Sequence, residues 1–171
     1  YNAVGGSTHH WTAHTPRFHP SDFRVNSLDG VAFDWPISYW DLEKYYDEND
    51  IMMGCSGISG DPANPPRTTR PLPPVPLGDD GEIMAKAFDK LNWHWWPAYS
   101  AINTEKYQGR SSDKYDRPSN MGDNTGSRGS TDNTYLPKAI SKGLKVKKSC
   151  QVIKLLPNES KNSISTLRYR D

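Results

Sequence analysis

The chain has 171 residues, a formal net charge of +1 and 34% hydrophobic residues. Near-neutral charge gives no whole-chain attraction to nucleic acid or to an anionic surface, and no apolar run approaches the length of a bilayer span. The length suits one domain, but the mean hydropathy of −0.85 predicts a lean core. The 14 Pro and 13 Gly predict extensive loop. The 6 Trp and 9 Tyr are more aromatic surface than a disordered tail carries. The first residue is Tyr1 with no signal-peptide pattern after it, and a strand-like pattern is still running at Tyr169-Arg170-Asp171. Both ends therefore read as cut.

The first segment opens with Asn2-Ala3-Val4-Gly5-Gly6-Ser7-Thr8. Paired glycines before two hydroxyls make a tight turn whose backbone can approach a ligand closely. His9, His10, His14 and His19 crowd in behind it. A helix is predicted over Ser38–Met53. Ser38 is its N-cap, Asp41 completes a capping box and Gly54 stops it. Leu42, Tyr45, Tyr46 and Met53 fall near its inner face. Residues 61–80 hold seven prolines and read as an extended crossing. A second helix is predicted over Gly81–Leu91, with Met84, Ala87, Phe88 and Leu91 as its apolar stripe. The run Trp93-His94-Trp95-Trp96-Pro97 follows and reads first as a core anchor. Gly109–Gly129 is polar and without periodicity, a long loop of the functional or disordered kind. A short helix over Tyr135–Lys142 stops at Gly143, with Pro137 in its first turn. Strands are predicted over Leu144–Leu156 and Ile164–Tyr169, joined by turn chemistry at 157–163. Cys55 and Cys150 belong to no C-x-x-C motif. Each reads as a free, partly buried thiol, with a disulfide left open.

Four features carry candidate chemistry. Phosphate and flavin sites need backbone N–H groups unobstructed by side chains, which Gly5-Gly6-Ser7-Thr8 can supply. His10 and His14 have helical zinc-ligand spacing, but Pro16 and Pro20 argue against a helix and no acidic residue lies between them. No metal site is therefore assigned. Trp93, Trp95 and Trp96 could stack on sugar rings, which would make the chain a non-catalytic carbohydrate-binding module. The lysines of 138–154 read as a solvated face.

The order of three passages is more specific than any of these motifs. Residues 3–18, AVGGSTHHWTAHTPRF, resemble the Gly-Gly-Ser-Ser/Thr flavin signature of the glucose-methanol-choline (GMC) oxidoreductases, in the His-Trp-Thr form of pyranose oxidases. Residues 34–46, DWPISYWDLEKYY, resemble the block that follows it. Residues 131–139, TDNTYLPKA, then Gly143 and a strand near Val152, resemble the unit that returns to the FAD-binding domain. The resemblance covers nearly the whole chain and points to the branch of gluconate and sugar dehydrogenases and pyranose oxidases.

The resemblance implies an α/β fold. Residues 1–171 would be a loop-rich fragment of a GMC-type FAD-binding domain, with about three helices and a small C-terminal sheet. It implies FAD as cofactor, oxidation of a CH–OH group of an alcohol, sugar or sugar acid by hydride transfer to flavin, and an electron acceptor that the sequence does not specify. Gly5, Gly6, Ser7 and Thr8 would lie against the FAD. His10 aligns with the histidine that pyranose oxidases join covalently to the flavin, although other relatives hold FAD without that bond. Thr12 aligns with a residue beside the reactive edge, and Val152 with one whose backbone contacts adenine. The G-x-G-x-x-G fingerprint and the catalytic histidine region have no counterpart here, so no catalytic residue is assigned and the fragment alone is expected to be inactive. The loop 109–129 also lacks the cysteines that hold an iron–sulfur cluster in some relatives.

Overall fold

A computed structural model describes residues 3–68, 72–118 and 121–171. Asn2 of the opening turn and Pro71 of the proline-rich crossing lie outside them. The chain divides into two compact units, Tyr1–Lys138 and Ala139–Asp171.

The first unit starts with a 3-10 turn over Gly6–His9, followed by a second over Pro20–Arg24 that runs into the short helix α1 (Val25–Asp29). The sequence predicts the first as a tight turn at Gly5–Thr8, but neither the second turn nor α1, because one turn of helix leaves too few residues to show periodicity. Helix α2 (Tyr39–Met53) matches its prediction at both ends. Asp41 Oδ2 accepts from the Ser38 amide and from the Ser38 hydroxyl, both at 2.8 Å. Gly54 takes the left-handed conformation at φ 73°. The inner face differs from the expected one. Tyr39, Asp50 and Met53 are buried, whereas Tyr45 is 54% exposed. A polar residue in the buried stripe rotates the apparent face, and apolar spacing alone cannot register that.

Helix α3 (Gly78–Leu91) begins three residues before its predicted start. Asp79 and Asp80 in its first turn favour that end through the helix dipole. Its predicted apolar stripe is corrected: Ala85 is the buried position, and Met84 and Leu91 are each 56% exposed. Amphipathic spacing marks which residues share a face. It does not supply the surface that covers them.

The core is lean, as the composition implies, and much of it is polar. Ala13, Met53, Cys55, Ala101 and Ile102 form the main apolar cluster, while Ser56, Ser100, Asn103, Ser127 and Thr134 are buried beside it. The backbone of residues 99–103 acts as a crossbar, and three other segments bond to it. Thr15 N donates to Tyr99 O at 3.0 Å and Ala101 N to Ala13 O at 2.7 Å. Ser56 N donates to Ser100 O at 2.7 Å. Gly129 N donates to Ala101 O at 2.7 Å, and Asn103 N to Ser127 O at 3.0 Å. Buried backbone groups must be paired, and these contacts do so without a regular sheet. The end of the 109–129 loop is therefore internal structure.

Helix α4 (Tyr135–Ser141) matches its prediction within a residue, and Gly143 follows it at φ 95°. In the second unit, β1 (Gln151–Pro157) and β2 (Ile164–Arg170) pair antiparallel, with Val152 opposite Tyr169. The sequence predicts the first strand from Leu144. It starts at Gln151, because β2 supplies pairing partners only for residues 151–157 and a strand needs a ladder. The observed architecture is mixed α and β, with four α-helices and one two-stranded sheet among the described residues. No helix among them is long and apolar enough to cross a membrane.

Candidate functional site

The turn that opens the chain is built from its own side chains. Gly5 and Gly6 have φ 94° and 55°, values that glycine adopts without steric cost. A Cβ on Gly5 would come within 2.7 Å of His9 Nε2 and 2.9 Å of Asp132 Oδ1, so the chain's own packing already requires glycine there. A Cβ on Gly6 would meet nothing within 4 Å, so its outer side is open. The Thr8 hydroxyl donates to Gly5 O at 2.6 Å and accepts from the Thr131 amide at 3.1 Å, and Thr131 Oγ1 donates to the same Gly5 carbonyl at 2.9 Å. Thr8 therefore faces inward and holds the turn closed, whereas Ser7 is exposed.

From Trp11 to Arg17 burial alternates residue by residue, although the backbone is not a regular strand: Ala13 takes the left-handed region at φ 66°. Ala13, Thr15 and Arg17 point inward, while Thr12, His14 and Pro16 are exposed, in line with exposed His10 before them. The ribbon is fastened from behind. Trp11 Nε1 donates to Gly129 O at 3.0 Å, and Arg128 donates to the Trp11 and His9 carbonyls at 2.8 and 3.0 Å.

Among the expected site residues, the structure gathers Gly5, Gly6, Ser7, Thr8, His10 and Thr12 on one turn and ribbon. Val152 stands on β1 in the other compact unit, 53% exposed. The four clustered histidines do not share an α-helix: His9 Nε2 is 2.6 Å from Val4 O, His19 Nδ1 is 2.7 Å from Ser21 Oγ, His10 caps the end of the first 3-10 turn, and His14 lies on the irregular stretch that follows. Among the described residues, no three His, Cys, Asp or Glu side chains are grouped to hold a metal ion.

Beneath the ribbon lies a charge cluster that sequence reasoning missed. Arg17 Nη2 donates to Asp47 Oδ1 at 2.7 Å and to Asp50 Oδ2 at 2.6 Å, and Arg67 Nη1 lies 3.4 Å from the same Asp50 oxygen. The side chains of Arg17, Asp50 and Arg67 are each 5% exposed. Arg67 also stacks on Tyr99, with its guanidinium carbon 3.4 Å from the ring centroid. Burial pulls the Arg17 proton affinity down, but hydrogen bonds to Asp47, Tyr39 and Asp50 outweigh it, and the net shift is upward. Arg17 therefore stays charged. A cleft of about 350 Å³ opens beside the cluster, lined in part by Thr8, Trp11, Arg17, Tyr46, Asn49 and Tyr135. Burial pushes the Tyr135 phenol up, and its hydroxyl donates to Asn49 Oδ1 at 2.7 Å. No local pattern in the sequence marks Arg17 as buried, because the carboxylates that a buried arginine needs come from α2.

Both cysteines are free thiols. Burial, reinforced by the nearby Asp50 charge, pushes the Cys55 thiol up to about 12, and Cys55 Sγ lies 3.5 Å from Thr15 Oγ1. Reactivity follows the thiolate. Iodoacetamide at neutral pH is therefore expected to label Cys150 in the native protein and to reach Cys55 only after unfolding. Peptide mapping that finds Cys55 labelled as fast as Cys150 would contradict this.

The aromatic run does not anchor the core as expected. Trp93 is 62% exposed and packs against Phe88 at 5.9 Å, Trp95 Nε1 donates to Asp89 Oδ1 at 2.9 Å, and Trp96 Nε1 donates to Ile58 O at 3.0 Å. Each indole thus has a different partner, and Trp93 alone of the three is largely open.

No family model matches the chain. It is 43% identical over 154 residues, 88% of its length, to a 2-methyl-1,2-propanediol dehydrogenase of Mycolicibacterium austroafricanum. It is 36% identical over 110 residues, 63% of its length, to the fructose dehydrogenase large subunit of Gluconobacter japonicus. The chain spans 28% and 20% of the lengths of these two curated relatives.

Proposed function

We propose that this chain is the flavin-signature segment of an FAD-dependent oxidoreductase of the GMC family that oxidises a CH–OH group of a small polyol, sugar or sugar acid. The observation that carries the reading is the exposed row Ser7, His10 and Thr12 on a turn and ribbon held from behind. Both relatives are dehydrogenases by name, and their named substrates bear hydroxyl groups.

The residues present fit a flavin. The open side of Gly6 admits close approach of a large ligand to the backbone. Ser7, His10 and Thr12 stand on the exposed side. Thr8 is spent on closing the turn, so its part is to shape the loop. Gly5 serves the same end, since a side chain there would run into His9 and Asp132. Val152 would contribute through its backbone. When bound, the flavin supplies the hydride-accepting chemistry; the protein's share is binding and orientation. None of the five histidines is assigned as the base that takes the hydroxyl proton.

The test is the visible spectrum of the full-length protein that carries this chain, recorded before and after acid precipitation. A yellow protein with flavin absorbance is expected, and a colourless one would overturn the reading. Colour that stays with the precipitate, and is released in the His10→Ala variant, assigns a covalent bond to His10. Colour that leaves with the supernatant assigns His10 to packing against the ring.

A further inference from the structure

We propose that Arg128 is a positioning residue for His10: its guanidinium fixes the backbone on both sides of that histidine and so sets how the imidazole is presented to a bound flavin. The inference rests on the flavin reading above. Arg128 is 8% exposed. Its Nη2 donates to His9 O at 3.0 Å and its Nη1 to Trp11 O at 2.8 Å. The His9 carbonyl belongs to the peptide plane that enters His10, and the Trp11 carbonyl to the plane that enters Thr12. The N–H of the first plane is held as well, because the His10 amide donates to Ser7 O at 3.0 Å. Between the two clamped planes, the Trp11 indole is tied to Gly129 O at 3.0 Å. The peptide planes that enter His10 and Thr12 are therefore both held.

The clamp is itself anchored. The Arg128 amide donates to Asp123 Oδ2 at 2.7 Å, and its carbonyl accepts from Asn133 Nδ2 at 2.9 Å. The next residue, Gly129, is bonded to the crossbar at Ala101 O. The ribbon's position is thus transmitted from the core through a planar fork. A fork can bridge two carbonyls at fixed separation, whereas a lysine ammonium on a flexible stem cannot hold both in one geometry. Sites that hold a reacting group must keep it within about 0.5 Å, and this clamp supplies that constraint at His10.

A second arginine provides the comparison. Arg110 also spends its guanidinium on backbone carbonyls, donating to Met53 O at 2.6 Å and Ser127 O at 3.2 Å. It joins the end of α2 to Ser127, whereas Arg128 bonds to His9 and Trp11 themselves. Arg128→Lys and Arg110→Lys are to be compared in the full-length protein by amide hydrogen exchange over residues 9–12, by circular dichroism in the flavin absorption bands, and by flavin retained after denaturing precipitation and after dialysis. Arg128→Lys is expected to speed exchange over 9–12 about tenfold, the effect of losing one charge-assisted hydrogen bond, to alter the flavin dichroism and to lower flavin retention. Arg110→Lys is expected to lower thermal stability and to change all three much less than Arg128→Lys does. If Arg128→Lys does not fold, Arg128→Gln, whose amide reaches one carbonyl, takes its place. Faster exchange with unaltered flavin dichroism and retention, or identical behaviour of the two arginine variants, overturns this inference alone. A wild-type protein without flavin overturns the flavin reading, and this inference falls with it.

Discussion

Asp50→Ala is expected to lower the melting temperature of the protein by roughly 6–20 °C, the equivalent of about 3–5 kcal/mol. Asp50 is the carboxylate shared by Arg17 and Arg67, at 2.6 and 3.4 Å. All three side chains are 5% exposed. An intact buried ion pair contributes little net stability, because desolvation offsets attraction. Removing one partner is different, since the charges left behind cannot recover their water. Arg67 would lose Asp50 with its guanidinium against Tyr99, and Arg17 would keep Asp47. Asp50→Asn should lose less, since the amide oxygen still accepts from one arginine. Asp47→Ala should cost less again, because the Asp47 side chain is 20% exposed and water can replace part of what is lost. Differential scanning calorimetry checks the order, with Asp50→Ala melting lowest, Asp50→Asn next and Asp47→Ala highest of the three. A melting temperature for Asp50→Ala within a degree or two of wild type would show that the cluster is not buried as described.

Gly129→Ala is expected to cost about 1–3 kcal/mol through overpacking and to disturb the ribbon as well. The Cβ would stand 2.5 Å from the backbone oxygen of Met53, 3.4 Å from its carbonyl carbon and 3.5 Å from Ala101 Cβ. The obstacle is the main chain at the end of α2, and it is already held by Arg110 at 2.6 Å. It cannot swing aside as a side-chain tip could. Gly129 also connects two parts of the site, since its amide bonds to Ala101 O and its carbonyl accepts from Trp11. A shift at Gly129 should therefore loosen Trp11. Gly126→Ala is the control. At φ 75° with nothing within 4 Å of the added carbon, it carries only the left-handed backbone penalty of about 1–2 kcal/mol. Both variants should unfold earlier, but only Gly129→Ala should red-shift Trp11 fluorescence, measured with the other tryptophans replaced. Equal fluorescence in the two variants would show that Gly129 does not couple the end of α2 to the ribbon.

The sequence by itself determined the elements whose causes are local. Ser38, Asp41 and Gly54 specify both ends of α2 through hydrogen bonds and a left-handed φ that involve only neighbouring residues. Gly143 ends α4 for the same reason. The paired glycines announced a tight turn, and the turn is there. The ordered blocks that resembled the GMC family agree with the similarity to two dehydrogenases.

What only the tertiary structure decided is which partner each residue meets. Thr8 reads like its neighbour Ser7, yet it faces Thr131, 123 residues away, while Ser7 is exposed. The Trp93–Trp96 run was expected in a core and the α3 stripe against one; much of both is open. Asp50 reads as a solvated helix residue until Arg17 and Arg67 arrive from two other segments. Arg128 lies in a polar loop with no periodicity, and its role exists only because the crossbar at 99–103 brings that loop behind His10. Capping and turn chemistry act over a few bonds and leave a readable pattern. Burial of a charge or a ring is fixed by long-range contacts, which leave no periodic trace in the sequence.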